Sequence, residues 1–308
     1  MHPFSLAIHG GAGTILKSKM TPEQETAYQQ VLADALQAGR TLLAAGKTAT
    51  EAVCAAVCVL EDADLFNAGR GSVFTHEGTH EMEASIMRGK DLQAGAAAGI
   101  SSIKNPVLLA EKIMQDPDWV FLSGKGAEDY AKEQSLACES PEYFHSQHRY
   151  EQWQSMKDSD QAILDHSDDR KFGTVGAVAL DQQGNLAAAT STGGLTNKRY
   201  GRMGDSAVIG SGTYANNQTC AISCTGYGEY FLRSVVAYDV SCLMEYKGLS
   251  LQEACHVVVQ EKLKTLGGEG GLIAVDASGA VELAFNCEGM YRGWTTHQSD
   301  TLHTAIYR

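Results

Sequence analysis

The residues best suited to do chemistry in this 308-residue chain begin with the pair Gly173-Thr174, inside KFGTVGAVAL. The pair separates a polar, charge-dense stretch running from Glu139 to Lys171 from a run of small and β-branched apolar residues that starts at Thr174. A hydroxyl at such a boundary can attack its own preceding peptide bond and leave a new N-terminal threonine. That residue would hold both halves of a hydrolytic machine, the hydroxyl as nucleophile and the free α-amine as its base. An α-amine titrates at about 7.7–8.0 and accepts a proton near neutrality without help from histidine. Gly173 lacks a side chain, so another group can approach the carbonyl to be cut, and it tolerates positive φ. A Gly-Thr pair is also an ordinary way to end a loop and begin a strand, and these two residues alone leave that alternative open.

Further along, Thr225-Gly226-Tyr227-Gly228 follows an apolar strand pattern and precedes a helical one. Its backbone N–H groups and the Thr225 hydroxyl can converge on a cavity, where each donor aimed at a developing oxyanion contributes roughly 3–4 kcal/mol to catalysis. The other reading is a helix cap, and both can hold together. The glycine run Gly10-Gly11-Ala12-Gly13 is not a GxGxxG phosphate cradle, because no dinucleotide-binding unit with a well-placed acid follows it. Thr192 is by its type a strand former. Arg202 and Asp205, three residues apart in a loop, would ordinarily be a solvated pair of little energetic weight.

Composition narrows the function classes. A net charge of −13 with no Lys/Arg cluster argues against nucleic acid or an anionic membrane surface as partner, and leaves small zwitterionic substrates compatible. No apolar run approaches the roughly 20 residues of a membrane span. The start MHPFSLAIHGG lacks a basic segment followed by an apolar core, so a cytoplasmic protein is expected. Eight cysteines include no CxxC pair and are read as free, mostly buried thiols. Ten histidines include no HExxH; His145, His148 and His166 fall in the polar stretch and read as solvated loop residues.

Positioning these residues requires a fold. With 44% hydrophobic residues, the chain is long enough for one large domain or two ordinary ones. Ser5 to His9 reads as a buried strand. Thr21-Pro22-Glu23-Gln24 supplies an N-cap, an N1 proline and a capping box for a helix ended by Gly46. A second helix is expected from about Thr50 to Glu61, followed by the irregular segment LEDADLFNAGR at 60–70. Strands are expected at 80–87 and 95–100, helices after Asn105-Pro106 and from Ser123 to Gln134, and a linker over 139–173. A hairpin is expected at 174–180 and 185–191, with further strands near 206–210, 219–225, 271–276, 280–285 and 302–307. Helices from about Gly228 to Tyr246 and from Ser250 to Gly267 complete the pattern. Paired helices and paired strands in both halves predict an α+β fold with helices outside two facing sheets.

The motifs GTVGAVALD (173–181), AATSTGGLTNK (188–198), GRMGDS (201–206), YANN (214–217) and SCTGYGE (223–229), with IHGGAG (8–13) and LFNAGRGSVF (65–74), span nearly the whole chain. In this order they resemble the plant-type L-asparaginase and isoaspartyl peptidase family of N-terminal-nucleophile hydrolases. The resemblance implies a four-layer αββα sandwich and a single-domain precursor, 1–308. Cutting at Gly173/Thr174 would yield an α piece, 1–173, and a β piece, 174–308, that stay interleaved and assemble as a dimer of αβ heterodimers. It implies Thr174 as nucleophile, Thr192 as the hydroxyl that buttresses it, and Thr225 with Gly226 as oxyanion donors. Arg202 would grip a substrate α-carboxylate and Asp205 its α-ammonium, with Thr225, Gly226 and Gly228 completing the substrate pocket.

The resemblance requires no cofactor for the chemistry. It assigns to the 60–70 segment a structural sodium or potassium ion at Leu60, Glu61, Ala63, Phe66, Ala68 and Arg70, held mostly by backbone carbonyls; a plain connector is the alternative reading. It places aspartate where this chain has Glu83, and varied residues at Tyr227. The implied substrates are L-asparagine and isoaspartyl dipeptides. The rival activities are removal of sugar-linked asparagine and noncatalytic binding of aspartate-like ligands.

Overall fold

Small side chains build the centre of the molecule. In a computed structural model describing residues 3–157, 173–297 and 301–308, strands β5 (Val175–Leu180) and β6 (Leu186–Thr192) are buried at every position. Successive strand side chains point to opposite faces. Val175, Ala177, Ala179, Ala187 and Ala189 therefore meet helical residues such as Leu36, Val53 and Val57, whereas Val178, Leu180, Leu186 and Ala188 share the other face with Ala221, Ile273 and Val275 of a second sheet. A strand covered on both faces forces layers on both sides.

The remaining strands are β1 (Ser5–Gly13), β2 (Met82–Arg88), β3 (Ala94–Ile100), β4 (Phe121–Ser123), β7 (Thr213–Ala215), β8 (Cys220–Gly226), β9 (Gly270–Asp276), β10 (Val281–Phe285), β11 (Gly289–Thr296) and β12 (His303–Tyr307). The large sheet runs β12-β11-β1-β5-β6-β2-β3-β4 and the small one β10-β9-β8-β7. Helices α1 (Pro22–Ala44), α2 (Ala49–Asp62) and α3 (Pro106–Gln115) pack on the large sheet. The outer face of the small sheet is covered by α8 (Val236–Lys247) and α9 (Leu251–His256), the latter continuing as π-helical turns over Val257–Leu263. Helices α4 (Gly124–Glu133), α5 (Pro141–Phe144), α6 (Gln147–Lys157) and α7 (Gly228–Ser234) complete the set among the described residues. The result is the expected α+β arrangement in four layers, helix, sheet, sheet, helix.

The capping signals act as read: Thr21 with Gln24 and Ser250 with Glu253 each form a reciprocal capping box. Four expectations are corrected. Residues 206–210 form turns rather than a strand, and β7 follows instead; Ile209 makes only an isolated bridge to Thr213. Strand β11, absent from the expectations, joins the large sheet. The helix expected over 228–246 is two helices, broken at Val235, whose φ of 49° is left-handed. The first half of the expected linker is helical and anchored, with Phe144, Arg149 and Trp153 buried. Its remainder, 158–172, with His166, lies outside the described residues. His145 and His148 are exposed, all eight cysteines are free, and five of them are buried. Among the described residues no helix is long and apolar enough to cross a membrane.

Candidate active site

Thr174 stands at the entry to β5, buried, and its hydroxyl donates to Thr192 Oγ1 at 3.2 Å. The Thr192 hydroxyl oxygen also accepts from the Gly194 N–H at 3.0 Å, so β6 fixes the buttress before the nucleophile touches it. On the other side of the junction, the carbonyl of Gly173 accepts from the Asn67 N–H at 3.0 Å. Asn67 itself is clamped: its side chain donates to Gly194 O at 2.7 Å and accepts from Val73 N at 3.0 Å, and its carbonyl accepts from Gly193 N at 3.0 Å. A rigidly held N–H therefore points at the carbonyl oxygen of the peptide bond before Thr174. Gly173 has to be glycine for lack of space, since a Cβ there would lie 2.5 Å from Asn67 Cβ.

A cavity of about 10 Å³, roughly one water, opens beside Thr174 and is lined by Thr192, Arg202, Asp205, Gly226, Gly228 and Glu83, among others. Two elements bring the charged groups to it. The 201–206 loop supplies Arg202 and Asp205, and the junction of β8 with α7 supplies Gly226 and Gly228. Gly228 permits the approach, because a Cβ there would sit 2.9 Å from both Arg202 Nη2 and Asp205 Oδ1. Thr225 ends the buried part of β8, and its Oγ1 is buried with no hydrogen-bond partner.

Arg202 is mostly buried. Its Nε and Nη2 donate to the two carboxylate oxygens of Glu229 at 2.9 and 2.8 Å, a bidentate pair that fixes the guanidinium plane. The opposite edge, with Nη1, faces Gly204 and Gly194 on the cavity side. Asp205 is buried and its Oδ2 has no partner. Burial, reinforced by the charges of Glu83 and Glu229 and only partly offset by Arg202, pushes its carboxyl up to about 8. The carboxylate of Glu83 accepts from the Gly204 N–H at 2.9 and 3.2 Å, which ties the loop to β2. Glu83 and Arg202 also form part of the wall of a second cavity of about 190 Å³ that includes Lys198 and Met203.

Every residue expected at the catalytic or substrate site thus falls at or directly behind one cavity. Three further residues went unread in the sequence. Asn67 is 106 positions from Gly173, Glu229 is 27 from Arg202, and His9, whose Nδ1 lies 3.0 Å from Thr174 O, is 165 positions away. All three lie in motifs already singled out, but nothing local to any of them identifies its partner.

The 60–70 segment reaches this cavity only through Asn67, which bonds the cavity-lining Gly173 and Gly194. Leu60 and Glu61 end α2, Ala63 caps it, and the carbonyls of Phe66 and Ala68 each accept one N–H, from Ala68 and Gly71. A carbonyl with one bond keeps a second lone pair, so these oxygens remain able to hold a hard monovalent cation. The side chain of Arg70 instead lies over the Tyr143 ring, 5.7 Å from its centroid. Glu61 is fully buried with Oε1 accepting from Val107 N at 3.0 Å and Oε2 unpartnered, and burial pushes its carboxyl up to about 8. The described residues hold no cluster of three or more His, Cys, Asp or Glu suited to a metal.

Comparison with known proteins completes the picture. A family model described as Asparaginase matches residues 1–306. The chain is 51% identical to the isoaspartyl peptidase of Salmonella typhimurium over 313 aligned positions that cover both chains fully. It is 39% identical to the isoaspartyl peptidase/L-asparaginase of Xenopus laevis, across 98% of this chain and 94% of that one. It is also 39% identical to the plant-type L-asparaginase of Pyrococcus abyssi, across 93% and 94%.

Proposed function

Because this chain belongs to the asparaginase family, we propose that it is an amide hydrolase that cuts itself before Thr174 and then hydrolyses isoaspartyl dipeptides and L-asparagine. The observation that carries this reading is the pairing of the Thr174 hydroxyl with Thr192 Oγ1 beside a carbonyl held by Asn67. In the first reaction Thr174 Oγ attacks the Gly173 carbonyl carbon while the Asn67 N–H faces the oxygen that becomes negative. The Gly173–Thr174 C–N bond breaks, the nitrogen takes the hydroxyl proton, and water hydrolyses the resulting ester. This gives pieces 1–173 and 174–308.

The freed α-amine of Thr174 then takes the Oγ proton as the oxygen attacks a substrate β-carbonyl. The buried, unpartnered Thr225 hydroxyl and the Gly226 N–H are the donors for the oxyanion. The amine hands its proton to the leaving nitrogen, and water releases aspartate from the acyl-enzyme. Arg202 meets the substrate α-carboxylate with the Nη1 edge that Glu229 leaves open, and Asp205 meets the α-ammonium. The carbonyls of Leu60, Glu61, Ala63, Phe66, Ala68 and Arg70 would hold a sodium or potassium ion that braces the loop carrying Asn67. The family resemblance adds pairing of two αβ units, which light scattering of the purified protein tests.

Intact-mass measurement and aspartate release from an isoaspartyl dipeptide test the whole reading. Two fragments meeting at 173/174, with activity, are expected. A single full-length mass that releases no aspartate refutes it.

A further inference from the structure

One row of side chains in the layer between the two sheets is polar and joined across it. On four neighbouring strands of the large sheet, His9 pairs with Gly176, Gly176 with Thr190, and Thr190 with Ser85. Facing them on the small sheet, Ser223 pairs with Thr213. Their side chains join across the gap: His9 Nε2 to Ser223 Oγ at 2.9 Å, Ser223 to Thr190 at 2.6 Å, Thr190 to Thr213 at 2.6 Å and Thr213 to Ser85 at 2.8 Å. Ser85 Oγ also lies 2.5 Å from Ser206 O. All five members are at most 1% exposed, and none is left without a partner. Gly176 is part of the same construction, since a Cβ there would lie 2.0 Å from Ser223 Oγ and 2.6 Å from His9 Nε2.

The chain has a direction. Thr174 O accepts only, so His9 donates from Nδ1, and its Nε2 must accept from Ser223. Burial, which keeps the ring neutral and lowers its pKa to about 3, agrees with that tautomer. Each hydroxyl has one proton, so Thr190 then donates to Ser223, Thr213 to Thr190, and Ser85 to Thr213 or Ser206 O. One end of the line grips the carbonyl of the nucleophile residue, and the other, Ser85, has a single proton for Thr213 and for the carbonyl of Ser206, the residue next to Asp205.

We propose that this row, His9, Ser223, Thr190, Thr213 and Ser85, sets the placement of Thr174 relative to the Asp205 loop, as a set of positioning residues acting through one directed hydrogen-bond chain. The proposal rests on the threonine-hydrolase reading above. Cutting at 173/174 removes the covalent tether on the N-terminal side of Thr174, so its carbonyl becomes the backbone handle by which the residue is held. Fully satisfied buried networks hold geometry because every alternative arrangement leaves a polar group unpaired.

Two measurements test it. In the cut wild type, nitrogen NMR of ring-labelled histidine should show His9 as the Nδ1–H tautomer. Kinetics with L-asparagine and an isoaspartyl dipeptide should split by position. Ser223→Ala should lower kcat about three- to tenfold at unchanged KM, and Ser85→Ala should raise KM by a similar factor at unchanged kcat, the cost of about one hydrogen bond. Thr190→Val should do both, and Thr190→Ser should restore wild-type behaviour. An Nε2–H or protonated His9 overturns the proposal whatever the activity. So do variants that lower the melting temperature yet keep kcat and KM. A wild type that shows the Nδ1–H tautomer but hydrolyses neither substrate refutes the hydrolase reading and leaves the directed chain standing.

Discussion

Asp205 is the point at which the site's electrostatics yields a number. To meet a substrate ammonium, its carboxyl must be ionised, yet burial beside Glu83 and Glu229 raises it to about 8. At pH 7 roughly one molecule in ten then carries the carboxylate, so apparent affinity for an ammonium ligand is about tenfold below that of the ionised site. Binding of L-aspartate at pH 7 should therefore release about 0.9 proton, falling towards zero above about pH 9. Affinity should rise roughly tenfold from pH 7 to a plateau at about pH 9, until the ligand's own amine deprotonates. Titration calorimetry of the cut protein, in buffers of different ionisation enthalpy, reads the proton count directly. Asp205→Asn should abolish the release and most of the binding, and a des-amino ligand should release none. Absence of proton release in the wild type at pH 7 would refute the argument. The same group acts on stability: with its native pKa above the ordinary 3.8, the folded state keeps a proton the unfolded chain loses. Stability is fully present below about 4 and declines as pH rises to about 8. Glu61, raised from 4.5 to about 8, adds to this trend.

Thr174→Ala should leave one full-length chain with no amidase activity, because one oxygen serves both reactions; spontaneous cutting of that variant at the same bond would contradict this. Arg202→Lys, which keeps the charge but loses the planar fork, should lower kcat/KM for L-asparagine about ten- to a hundredfold, while self-cleavage survives; a change under about threefold would remove the clamp from the mechanism. Exchanging sodium, potassium and a bulky organic cation at constant ionic strength should shift thermal stability if the 60–70 carbonyls hold an ion, and no shift after exhaustive exchange would favour a plain connector.

What the sequence disclosed depended on range. The capping boxes at Thr21 and Ser250 and the hairpin turn at 181–184 are written in residues a few positions apart, and each was legible. So was the α+β arrangement, because helical and strand periods alternate openly. The two halves of the candidate cavity could be named by type, but not their supports. Asn67 meets Gly173, and His9 meets Ser223 across 214 positions, through contacts that exist only once the sheets have stacked. The polar stretch misled because α6 buries only Arg149 and Trp153, too few to show a helical period. Ala207, Val208 and Ile209 misled in the opposite sense: an apolar run became turns, because their backbone bonds close locally, as in Val208 N to Asp205 O at 2.9 Å.

The order of the large sheet has one more consequence. β1 lies between β11 and β5, and β2 lies beside β6, so strands from before and after residue 174 are interleaved in a single sheet. Once the bond before Thr174 is cut, the native state can no longer be reached from a single chain. Refolding from denaturant becomes a meeting of two polypeptides and slows on dilution, whereas the uncut Thr174→Ala variant refolds at a rate independent of concentration. On the proposed cut, assembly must come first, and each active molecule is then folded once: its persistence would rest on how slowly it unfolds rather than on how readily it recovers.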